Sequence, residues 1–142
     1  MGFTEQQLRD QLVGGWDLIS IIVTADDGSI GHFRGENPIG QLIYTASDRV
    51  TCCVMNRERI SSFAGDEPTD AEAAAAWRTS TAYWGSYTID AAEQVVTHHP
   101  IGSTAPSEVG ADLPRKFRFE GDRLIIHRAP TGRMLTTWRR GF

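Results

Sequence analysis

The chain has 142 residues, 40 % of them hydrophobic, enough for one domain with a real core and too few for two. Its 14 Lys and Arg stand against 18 Asp and Glu, a formal net charge of -4 with both signs scattered, so the basic face that would bind nucleic acid is absent. No run of the sequence is apolar for long enough to span a bilayer, and Met1 to Asp10 is polar and helix-like instead of leader-like; we expect no membrane partner and a cytoplasmic, unexported protein.

In chain order, Thr4 followed by Gln7 reads as a capping box, and Leu8 with Leu12 gives a short amphipathic helix ending near Gly14-Gly15. From Trp16 onward, β-branched and aromatic residues come in short runs. Turn signals separate them at Asp26-Asp27-Gly28, Ser47-Asp48, Asp90-Ala91-Ala92, Glu120-Gly121-Asp122 and Pro130-Thr131-Gly132. The runs predict strands over 15–25, 29–34, 39–46, 49–56, 85–90, 94–102, 113–120, 123–129 and 133–140.

One stretch, 57–84, interrupts them. There Pro68-Thr69-Asp70-Ala71-Glu72 supplies a second capping box and Ala73 to Trp77 supplies helix formers, predicting a helix over 70–83. Trp77, Ser80 and Trp84 would then form one stripe, packed on the sheet or over its end. Cys52 and Cys53 are adjacent on a strand and point to opposite faces, which argues against a bridge and fits a reducing compartment. Neither a separated Cys pair nor a His-x-x-x-His spacing occurs, and no metal is expected.

A meander this long exposes its edges unless it closes, so the fold class is all-β: an antiparallel meander barrel of roughly eight to ten strands. Residues 1–142 form this one domain, with a short N-terminal helix and one helical insertion. The competing fold, a helix-rich α+β cone, needs several long N-terminal helices where this chain offers one short segment.

Hairpin register assigns the faces. A two-residue turn at Gly121-Asp122 pairs Phe119 with Leu124, Phe117 with Ile126 and Arg115 with Arg128. That apolar face is the interior, so Arg115 points in and His127 out. Continuing through Pro130 to Gly132 brings Trp138 and Arg140 inward. A turn at Ser47-Asp48 aligns Tyr44 with Thr51 and Leu42 with Cys53, and Met55 follows on that face. Pairing Ile89 with Val96 sets Tyr87 opposite His98 and sends His99 out, whereas a one-residue slip exchanges the two histidines.

The result is an apolar cavity with Tyr44, Tyr87, His98 and Arg115 as polar heads and Arg128 near a mouth, the usual build of a small-ligand site. Met55, Tyr83, Phe117 and Trp138 would line it, although aromatics such as Tyr83, Tyr87 and Trp77 serve equally as plain core. An inward Arg115 needs an anion: either an acid of the chain such as Glu36 or Asp17, or a ligand's carboxylate or enolate.

Gly14-Gly15-Trp16 contains the Gly-x-Trp signature of lipocalins, and Trp138-Arg139-Arg140 ends the last strand. Further matches are Gly35 to Thr45, Tyr83-Trp84-Gly85-Ser86-Tyr87, Val96-Thr97-His98-His99 and Gly121-Asp122-Arg123-Leu124. With these stretches in this order the chain resembles the bacterial and fungal lipocalin-like domain proteins. The resemblance implies a calycin-type barrel whose final-strand arginine stacks over the tryptophan. It also implies either passive carriage or cofactor-free cyclisation or isomerisation in secondary metabolism.

No hydrolase, phosphate-loop or dinucleotide pattern is recognisable, and no cofactor is expected. The expected partner is a polyketide- or terpenoid-like small molecule. Should the barrel also catalyse, His98 would move a proton, Tyr87 or Tyr44 return one, and Arg115 steady an enolate-like oxygen. A solidly filled barrel acting as a protein-interaction module is the reading from another class, and an exposed strand edge would suit a homodimer.

Overall fold

The computed structural model describes residues 2–128 and 132–142. Helix α1 (Glu5–Leu12) begins with the expected reciprocal cap: Thr4 Oγ1 accepts from the Gln7 amide, and Gln7 Oε1 accepts from the Thr4 amide. The chain then enters β1 (Gly14–Thr24) through Gly14 at φ 126°, where a side chain would be strained.

β2 (Ile30–His32), β3 (Ile39–Tyr44) and β4 (Arg49–Met55) precede helix α2 (Asp70–Arg78). β5 (Ser80–Asp90), β6 (Val95–Ser103), a 3-10 turn at Pro106–Glu108, β7 (Leu113–Glu120), β8 (Arg123–Arg128) and β9 (Met134–Arg140) follow. Strands β3 to β9 pair antiparallel in sequence, and β9 returns to β1, closing an eight-stranded barrel with β2 as an extra strand. β1 serves both neighbours on one edge, pairing β3 through Gly14 to Asp17 and β2 through Ile22 to Thr24. Closure removes the free edges that an open meander would expose.

The interior takes one face of each barrel strand, and α1 adds Leu8 and Leu12, both fully buried. Trp16 Nε1 donates to the Leu12 carbonyl at 2.9 Å, while the Arg140 guanidinium lies 3.8 Å from the Trp16 ring centre. Arg140 also donates to the carbonyls of Val13, at 2.9 Å, and Gln11. The end of the last strand thereby ties helix α1 over Trp16, combining a cation–π contact with carbonyls that the helix end leaves free.

Several expectations hold. Phe119 pairs with Leu124, Phe117 with Ile126, Arg115 with Arg128, Leu124 with Trp138, and Tyr87 with His98. Both cysteines are free.

Two do not. The β3–β4 register is shifted by one: Tyr44 faces Val50 and Leu42 faces Cys52. The connection is a three-residue loop, with Thr45 bonded to Arg49 and Asp48 at φ 65°, and not the two-residue turn expected at Ser47-Asp48. Aspartate tolerates that left-handed position, which closes this loop type as a bulge. Cys52 therefore points inward, and Met55 points out toward Arg59, whose guanidinium lies 3.3 Å from its sulfur.

The insertion helix is also shorter than 70–83. Thr79 and Ser80 turn their hydroxyls onto the carbonyls of Ala75 and Ala76, ending α2 at Arg78 and starting β5 five residues early. The stripe of Trp77, Ser80 and Trp84 does not form; Trp84 lies on the outer face of β5, and no residue of α2 is buried. Ala129, Pro130 and Thr131, where a turn and the end of β8 are expected, lie outside the described residues. No described helix is long and apolar enough to cross a membrane.

Because Leu12 is completely enclosed beneath α1, Leu12→Ala is expected to lower the unfolding free energy by about 2–5 kcal/mol. A chemical denaturation curve measures it, and a loss near zero would mean that α1 is not part of the core.

Candidate functional site

The strand alternation of β6 buries Val96, His98 and Pro100. It leaves His99 on the outer face, where Nδ1 meets Asp112 at 2.7 Å and Nε2 meets Thr88 at 2.9 Å. His98 is 2 % exposed. Its Nε2 is 2.7 Å from the Tyr44 hydroxyl and its Nδ1 is 2.5 Å from the Tyr83 hydroxyl. Tyr83 reaches it from β5 across a bulge beside Gly85, where a Cβ would strike the His99 carbonyl. Cys52, paired with Tyr83 in the sheet, brings its thiol to the same place.

Cys52, Tyr83 and His98 share a cavity of about 170 Å³. Ile21, Leu42 and Trp138 give it apolar walls; Cys52, Tyr83 and His98 give it neutral polar groups; Arg115, Arg128 and Glu108 bring charge. The half-buried Arg115 makes one hydrogen bond, to the Pro114 carbonyl at 3.3 Å. Among the described residues no carboxylate lies within ion-pair distance of it, and neither Glu36 nor Asp17 does so.

Burial governs the electrostatics. Desolvation pushes His98 down to about 3, helped by the positive charge of Arg115. It lifts the hydroxyls of Tyr44 and Tyr83 well above their ordinary value and pushes the Cys52 thiol up to about 12. All four groups are neutral near pH 7, so the set offers hydrogen bonds and no ready base.

Of the residues anticipated from sequence, the structure brings Tyr83, His98, Arg115 and Trp138 to this cavity, with Arg128 beside them. Tyr44 is linked to it through His98. Tyr87 is inward but does not line it: its hydroxyl donates to the Thr45 carbonyl at 2.7 Å, and the guanidinium of Arg9 from α1 lies 6.0 Å from its ring centre. Phe117 packs edge-on against Phe119 with centroids 5.8 Å apart and is likewise absent from the lining. Met55 is outside, for the register reason given above. Cys52 is the inward residue that sequence reasoning treated as a small apolar filler; reading Asp48 as a left-handed loop residue would have turned it inward.

Among the described residues no three His, Cys, Asp or Glu side chains converge as a metal site. The unfolded chain protonates His98 near its ordinary 6.5 whereas the fold keeps it neutral to about 3, so stability is full above 6.5 and falls as pH drops toward 3. Between pH 6.5 and 5, wild type should lose about 1–2 kcal/mol more than His98→Gln in parallel denaturant titrations. Identical pH dependences would show that His98 is not held neutral.

Residues 13–140 match the family model of the lipocalin-like domain. No curated protein matches the chain.

Proposed function

Because the chain belongs to the lipocalin-like domain family, we propose that its barrel holds a small, largely apolar molecule bearing one anionic group. The observation that carries this reading is Arg115, a guanidinium at an otherwise mainly apolar cavity with no carboxylate among the described residues within ion-pair distance of it, Glu108 at the same cavity included. At this half-buried guanidinium a ligand anion would add the charge-assisted hydrogen bond that no carboxylate within ion-pair distance supplies. A ligand carboxylate, phenolate or enolate supplies that anion, and Ile21, Leu42 and Trp138 take the apolar part.

The size of the cavity narrows the class. About 170 Å³ is close to the roughly 150 Å³ cavity that admits benzene, so a compact molecule of about one ring suits it better than an extended polyketide or terpenoid chain. The space itself supports a ligand-holding role over a filled interaction module. A neutral His98 with both nitrogens engaged supports binding over general-base catalysis.

The test is calorimetric titration with a one-ring carboxylate and its neutral amide. Arg115→Leu should weaken the carboxylate about 10- to 100-fold, the worth of a hydrogen bond to a charged group, and leave the amide within about twofold. Equal losses for the two ligands would take Arg115 out of the site.

A further inference from the structure

We propose that the Tyr83 hydroxyl is a second recognition point in this cavity, donating a hydrogen bond to a neutral oxygen of the ligand while Arg115 holds its carboxylate. The cavity is then fitted to compact oxo acids. The proposal rests on the reading of Arg115 given above and adds the neutral half of the recognition.

A neutral imidazole has one N–H and one bare nitrogen. His98 is bonded to a tyrosine hydroxyl at each, so one tyrosine donates to it and the other accepts from it, keeping its own proton for use elsewhere. If Nε2 carried the proton, Tyr44 would be the acceptor and would need another outlet for its O–H. Tyr44 is buried, is absent from the cavity lining and has no other hydrogen-bond partner among the described residues. Stranding that proton costs about 1–3 kcal/mol.

With the proton on Nδ1 the count closes. Tyr44 donates to Nε2, Nδ1–H donates to the Tyr83 oxygen, and the Tyr83 proton remains. Tyr83 lines the cavity together with Arg115. Its nearest counterpart in the sheet is Cys52, whose thiol is a weak acceptor. The cavity thus presents a hydroxyl held by His98 and only weakly engaged by the thiol, and a carbonyl oxygen is a better acceptor than sulfur.

The experiment compares cyclohexanecarboxylate with 3-oxo- and 4-oxocyclohexanecarboxylate by titration calorimetry. In wild type the better of the two oxo acids should bind about 3- to 10-fold more tightly than the plain acid, the net worth of one neutral hydrogen bond. Tyr83→Phe should reduce that ratio to about one or below, the plain acid measured on the same variant serving as the reference for any general loss of affinity. Cys52→Ala, which removes the competing thiol, should raise the ratio at least twofold and decides the matter if Tyr83→Phe does not fold. A plain acid that binds with no oxo preference, a preference that survives Tyr83→Phe, or a ratio unmoved by Cys52→Ala overturns the role of Tyr83 alone. Absence of binding by all three acids overturns the Arg115 reading and this proposal with it.

Discussion

An imidazole taken out of water must stay neutral and must find a partner for each ring nitrogen, and His98 does both inside the barrel. Neutrality follows from desolvation reinforced by Arg115. Saturation follows from two tyrosines on different strands, Tyr44 on β3 and Tyr83 on β5, which meet on one histidine of β6. These bonds fix where the hydroxyl protons go, so a core hydrogen-bond network also sets what the cavity can offer. Half-satisfied, the same network would be a liability.

Arg115 is the opposite case. A half-buried guanidinium with one carbonyl contact adds nothing evident to the fold and costs hydration. The rest of the barrel offsets that cost through its closed sheet and the packing of Leu8, Leu12, Trp16 and Trp138. Destabilising features that survive in a well-packed fold tend to mark where the molecule works. The division of labour is plain: the end under α1 is tied by Arg140 and Trp16, while the polar groups gather where Tyr83, His98 and Arg115 share a cavity.

Much of this was legible in the residues. The Gly121-Asp122 turn fixed the face of Phe117, Phe119, Leu124 and Ile126, and with it the inward Arg115, because a two-residue turn leaves one register. The pairing of Tyr87 with His98 also followed from alternation. What failed was local chemistry with several outcomes. Asp48 in a left-handed conformation shifts the β3–β4 hairpin by one and exchanges the cysteines' faces. A run of three hydroxyl residues after Arg78 ends a helix that composition alone would prolong. The choice between Tyr83 and Tyr87 lay beyond strand periodicity, since both share a face. The Thr45 carbonyl, with Arg9 of α1 over the ring, engages Tyr87 and leaves Tyr83 for the histidine.

The network requires a neutral His98 protonated on Nδ1, with Tyr44 donating to Nε2. Nitrogen-15 NMR of the histidine-labelled protein reads both properties directly. At pH 5 the His98 signal should show a protonated Nδ1 and a bare, hydrogen-bond-accepting Nε2. A His98 that is doubly protonated at pH 5, or whose single proton sits on Nε2, would contradict that assignment.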